Sequence, residues 1–157
     1  MIKTKTIFFL GFVLSTLCFA EQGELAVRFK FSIGEKGDKP GQFNHPSSVS
    51  GDAYGNIYVA DTGNNRIQKF DDNGQLLSFI GGFGWGKEQF QVPHDIFVYN
   101  SLDIYIADFE NSRIERYDKD LNWITSYYSN ENWESRDQFE FPRSIFLSLH
   151  GDFFIVD

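Results

Sequence analysis

The sequence predicts an all-β fold, a β-propeller of four-stranded antiparallel blades, and three observations predict it. The string NIYVADTGNNRIQKF at residues 56–70 recurs as DIYIADFENSRIERY at 103–117, identical at seven of fifteen positions, and begins again as DFFIVD at 152–157. Single landmarks keep the register: Pro46, Pro93 and Pro142 are 47 and 49 residues apart, and Phe43, Phe90 and Phe139 show the same two intervals, as do Asp61, Asp108 and Asp157 within the string. Each full period holds four short strand-like runs divided by turn residues. Four short strands per repeat make one blade, which cannot bury both faces alone and must stack on its neighbours.

The chain opens with Lys3 and Lys5, an apolar run at residues 7–19 (IFFLGFVLSTLCF), Ala20, and then the polar Glu21–Gln22–Gly23. This is the layout of a secretory leader, and the run is too short to favour a membrane span. Cleavage is expected after Ala20, with Cys18 at the −3 position; acylation of Cys18 as a lipoprotein is the weaker alternative because Leu17 is bulky. The expected location is secreted or periplasmic, with no stable membrane span after cleavage. The leader is the one segment with a helical period. Cys18 is the only cysteine, so the mature chain must hold together by packing rather than disulfides.

Residues 25–33, LAVRFKFSI, alternate as a strand does, with Val27, Phe29, Phe31 and Ile33 on one line. They resemble the end of a repeat, as at Leu76–Gly82, and fit a ring-closing strand. Residues 35–42 form a polar turn. The first full repeat follows. Pro46 precedes a strand at 47–50, where a proline gives up no ladder bond. Residues 51–55 turn the chain into 57–60, apolar on both faces and so buried on both. Residues 62–65 turn it again into 66–70. Asp71–Asp72–Asn73–Gly74 is a hairpin turn leading to 75–80; it lacks the alternating acidic ligands and distal Glu of a calcium loop. The second repeat places strands at 93–98, 103–107, 113–117 and 122–128, and the third its first strand at 144–149. Residues 1–20 are thus read as leader and 21–157 as partial propeller. Its repeats span about 41–84, 88–129 and 137–157, giving about two and a half blades plus an N-terminal strand.

The formal charge of −8 argues against nucleic acid as a partner, since phosphate binding is driven by Lys and Arg. The sequence carries no Gly-x-Ser-x-Gly, phosphate loop or His-Glu-x-x-His. Asp61 with Arg66 and Asp108 with Arg113 recur five apart and are read as structural pairs tying the second strand of each blade to the third. The alternative, that one arginine faces a ligand, is disfavoured by the recurrence. His94 follows Pro93 in the segment entering an innermost strand, beside the central channel of a propeller. Its repeat equivalents are Ser47 and Arg143, so the repeat does not demand a histidine. Trp85, Trp123 and Trp133 lie in or near loops, where they can form a recognition surface or cap gaps between blades.

The run Gly55–Asp61, the string Asn65–Arg66–Ile67 and the proline before the first strand resemble the NHL-repeat family. The resemblance covers residues 41–157, although repeat two has Ser112 in place of Asn65. WD40 repeats match less well, with no Trp-Asp ending. The resemblance implies a propeller, six-bladed in type. It leaves activity open, because fold does not fix function. Locally, VPHDI at 92–96 followed by IADFENSRI at 106–114 resembles the catalytic domain of peptidyl-α-hydroxyglycine α-amidating lyase. That likeness implies zinc bound at His94 and substrate at Arg113. Catalytic zinc needs three protein ligands, and only one repeat carries the Pro-His pair. His45 precedes its proline, and His150 lies in a turn. The leading expectation is a non-catalytic module binding a protein, peptide or glycan on its loop face through His94, Arg113 and Arg143. The alternative is a zinc-dependent lyase or hydrolase. No cofactor is expected on the leading reading; zinc or calcium belongs to the alternatives.

Overall fold

The computed structural model describes residues 12–19, 25–134 and 138–157. The leader residues Lys3, Lys5 and Ala20, with the polar run Glu21–Gly23, lie outside them. Twelve strands are described: β1 (Phe12–Phe19), β2 (Leu25–Ile33), β3 (Ser48–Gly51), β4 (Ile57–Asp61), β5 (Arg66–Phe70), β6 (Leu76–Gly81), β7 (Pro93–Tyr99), β8 (Asp103–Asp108), β9 (Arg113–Asp118), β10 (Trp123–Tyr128), β11 (Ser144–Leu147) and β12 (Phe153–Val156). They form two four-stranded antiparallel sheets, β3-β4-β5-β6 and β7-β8-β9-β10, and two hairpins, β1-β2 and β11-β12. Each four-stranded sheet is one repeat, so the blades follow the sequence period. Strand bounds agree with the sequence pattern to within about two residues, because every turn carries its own chemistry. Asp52 accepts from the N–H groups of Tyr54 and Asn56, and Asp71 from those of Asn73 and Gln75. In both cases an Asp side chain closes the turn by binding backbone further on.

One segment differs from its sequence pattern. Residues 12–19, within the only run of helical period, form a strand paired antiparallel to β2, with Phe12 opposite Ile33 and Phe19 opposite Leu25. Phe12, Val13, Thr16 and Phe19 are residue types that suit a pleated surface, and β2 offers an edge to pair with. Among the described residues no helix is long and apolar enough to cross a membrane.

The core lies between sheets. Along β4 the side chains alternate: Ile57 and Val59 pack with Ile33, Phe43 and Phe70 on one side. Tyr58 and Ala60 pack with Ile96, Ile104 and Ile106 of the next blade on the other. β8 repeats this, with Tyr105 and Ala107 turned toward Phe139, Ile145 and Leu147. Period-two alternation with both faces buried explains why these strands are apolar throughout. At the sheet edges, β6 leaves alternate residues exposed, and its equivalent β10 exposes Ile124 and Tyr128.

Candidate functional site

The Asp–Arg pairs sit at the turn between the second and third strands of each blade. A short 3-10 turn at Thr62–Asn64, closed by Asn65 with φ 52°, brings Asp61 beside Arg66; Phe109–Asn111 and Ser112, φ 51°, do the same for Asp108 and Arg113. Arg66 Nε donates to Asp61 Oδ2 at 2.7 Å and Arg113 Nε to Asp108 Oδ2 at 2.8 Å. Both pairs are buried. The rest of each guanidinium is spent on the polar loop that leads into the repeat. Arg66 donates to the carbonyls of Asp38, Lys39 and Gln42 at 2.7–2.8 Å. Arg113 donates to those of Trp85, Gly86 and Gln89 at 2.7–3.0 Å. Nε, Nη1 and Nη2 of each arginine all donate within the blade, so each guanidinium is held as a structural clasp. Burial pushes the Asp108 carboxyl above its ordinary value, against the hydrogen bonds from Gln91, Asn111 and Arg113.

The second blade adds a charge. Gln68 in the first repeat donates to Asp61 and to the Gln42 carbonyl; its equivalent, Glu115, is fully buried. One Glu115 oxygen accepts from the Trp123 indole at 2.9 Å and from Ser126 at 2.7 Å, while the other lies 2.9 Å from Arg113 Nε. Burial raises the Glu115 carboxyl as well. Trp123 therefore caps the gap between blades, with Lys87 lying over its ring. Trp85 and Trp133 are exposed.

His94 and Arg143 lie at the leading ends of β7 and β11, which run side by side. Ser47 Oγ donates to the His94 carbonyl at 2.6 Å, and His94 Nδ1 lies 3.0 Å from the Arg143 carbonyl. The side chain of each blade thus reaches the backbone of the equivalent residue in the next. The His94 ring packs against Phe109, the Arg143 guanidinium lies over the same ring at 4.8 Å, and Phe141 stacks on Phe109 with centroids 5.3 Å apart. Arg143 and Phe141 are exposed. The result is a contiguous patch of one cation, one imidazole and two phenyl rings. Arg113 is not part of it. The described residues hold no group of three His, Cys, Asp or Glu able to bind a metal. The surroundings of His94, an arginine and aromatic rings, do not fit a zinc ligand set.

A residue that sequence reasoning missed lies one position on. Asp95 spans three blades: Oδ1 accepts from Ser48 Oγ at 2.5 Å, and Oδ2 from Ser144 Oγ at 2.8 Å and the Ile145 N–H at 2.9 Å. Its repeat equivalents are Ser48 and Ser144, so a carboxylate sits between two hydroxyls. That alternation was the available signal. Asp95 fixes the inner strands at the spacing that presents His94 and Arg143 together.

The repeat model described as the NHL repeat matches residues 43–70. NHL repeat-containing protein 3 of Mus musculus is 53% identical over 45 residues, which are 28% of this chain and 13% of that protein. The chain therefore corresponds to a small part of that relative's length. Among solved structures, a Bacteroides fragilis protein whose description presents it as exported aligns with TM-score 0.59 and 14% identity over 79% of this chain and 33% of its own. A catalytically inactive virginiamycin B lyase from Staphylococcus aureus with quinupristin aligns with TM-score 0.54 and 17% identity, over 90% of this chain and 41% of its own. At these identities both structures speak to the fold alone.

Proposed function

We propose that this chain, which is built of NHL repeats, belongs to an exported propeller acting as a non-catalytic binding module for a protein, peptide or glycan. The observation that carries the reading is the patch of His94, Phe109, Phe141 and Arg143. The repeat explains the Asp–Arg pairs and the buried phenylalanines, but it does not require an exposed arginine over a phenyl ring that a second ring adjoins. Aromatic and arginine side chains are the residues that most often anchor recognition surfaces. Here the rings offer a flat apolar face, and Arg143 a cation for a carboxylate or a hydroxyl-rich group. Export rests on the leader-like residues 1–20. Catalysis through zinc at His94 has no second ligand beside it among the described residues.

The test is binding to immobilised peptides and glycans, with Arg143→Ala and Phe141→Ala as variants. Each variant is expected to weaken the selected ligand at least tenfold while its urea midpoint stays that of the parent. A ligand whose affinity is untouched by both substitutions would place recognition elsewhere and refute the patch.

A further inference from the structure

The loops that lead into the two complete repeats share one backbone and differ in what they display. The first runs from Gly34 to Phe43 and the second, 47 residues on, from Gly81 to Phe90. Both are clasped at the same four points. The Gly37 N–H donates to the Phe43 carbonyl, and the Gly84 N–H to that of Phe90. Asn64 Nδ2 donates to the Gly37 carbonyl at 2.9 Å, and Asn111 Nδ2 to that of Gly84 at 2.8 Å. The arginine of the third strand holds the next two carbonyls, Asp38 and Lys39 in the first loop and Trp85 and Gly86 in the second. A Cβ at Gly37 or Gly84 would collide with the side-chain amide of Gln42 or Gln89, so glycine lets each loop close down on that amide. The second loop is also tied to the first blade, where the Gly82 N–H donates to the Asn65 carbonyl. Both blades that hold it are complete four-stranded sheets.

On this common frame the residues either side of the glycine are exposed. The first loop has Lys36 and Asp38 there, as suits a solvated position. The second has Phe83 and Trp85, 68% and 71% exposed. The frame requires neither ring, and it fixes the backbone beneath both, so a ligand meets them without the cost of ordering a loop. We propose that Phe83 and Trp85 form a second binding site, for a neutral glycan whose pyranose rings carry their substituents equatorially. The face of such a sugar is a layer of C–H groups that lies flat on an aromatic ring, and its rim is made of hydroxyls. Gln89 Oε1 accepts from the Gly86 N–H at 3.1 Å, which leaves Nε2 to donate to a hydroxyl, and the exposed Glu88 carboxylate can accept from one. Charge argues against other occupants. Residues 81–86 carry none, Lys87 after them lies over Trp123 at 3.9 Å, and Glu88 repels an anionic lipid surface or an acidic chain. A peptide strand would find the carbonyls of Gly84, Trp85, Gly86 and Gln89 already holding donors from Asn111 and Arg113. This site goes beyond the proposed binding patch and shares none of its side chains.

The probes are cellohexaose, laminarihexaose and chitohexaose, titrated into the intact 157-residue chain and followed by calorimetry and tryptophan fluorescence. Saturable binding of at least one is expected, with a blue shift that Trp85→Phe removes. Trp85→Ala or Phe83→Ala should weaken binding roughly tenfold. Arg143→Ala should leave it unchanged, which separates this site from the patch. Phe83→Lys combined with Trp85→Asp gives the second loop the pair that the first carries on the same backbone. That double variant is expected to keep the parent's urea midpoint and to lose the sugar. The proposal is overturned if none of the three sugars binds saturably, or if the double variant binds as the parent does. It is also overturned if the two rings instead carry the chain onto phosphatidylcholine vesicles in a sedimentation assay that the double variant abolishes.

Discussion

Arg113 is the single cation between two buried carboxylates, Asp108 and Glu115, and it also carries three loop carbonyls. Removing it leaves both acids unpaired. Arg113→Ala is expected to cost about 3–5 kcal/mol, read as a fall in the urea midpoint of unfolding. Glu115 behaves differently, because Gln68 fills the same place in the first repeat. Burial raises its folded-state carboxyl above the 4.5 of the free group. The folded chain therefore holds this proton more tightly than the unfolded one, and the favourable contribution fades as pH rises from that value upward. Glu115→Gln is expected to remove that slope. Its stability relative to the parent should climb across a urea series from pH 4.5 to pH 8; a flat difference would show that folding leaves the Glu115 carboxyl unshifted. The pairing of Asp61 with Arg66 was visible in the sequence because identity recurs at a fixed spacing. The loop carbonyls were not, because a backbone acceptor leaves no mark on residue type.

Two features act at the scale of the strand. The turn into β9 closes on Ser112 at φ 51°, where the turn into β5 has Asn65. Asparagine tolerates this left-handed conformation better than serine. The Asn65 side chain also accepts the Val92 N–H of the following repeat at 2.8 Å. Ser112→Asn is expected to raise the melting temperature, with a gain of about 0.5 kcal/mol. Asp95 is the converse case. Asp95→Ala takes the shared acceptor from β3 and β11 and leaves the Ile145 N–H without it, at an expected cost of about 2 kcal/mol. Faster exchange at the β11 amides would report it, and exchange unchanged there would refute the bridge. Strand positions were legible from alternation and turn residues. Asp95 was not, because a repeat search rewards sameness and this position changes from serine to aspartate and back. The β1-β2 pairing was equally hidden, since an apolar run of that length suits a leader, a helix or a strand.

For the molecule as a whole, burial predicts a gradient. β4 and β8 are covered on both faces, whereas Phe146, Phe154 and Val156 in the third repeat are exposed. Amide exchange should be slowest at the centres of β4 and β8 and fastest in β12. Equal protection throughout would mean that the blades open as one unit.

The arginine clasp also sets a clock. Arg66 meets carbonyls 24 to 28 residues earlier in the chain, and Arg113 does so at the same separations. On a ribosome adding about 5–20 residues per second, a leading loop waits roughly one to six seconds for its arginine. Until then the loop is an open strap whose backbone oxygens face water. Maturation of the nascent chain is thus expected to advance in discrete clicks, one per blade, each made by an arginine reaching back to fasten what was synthesised before it.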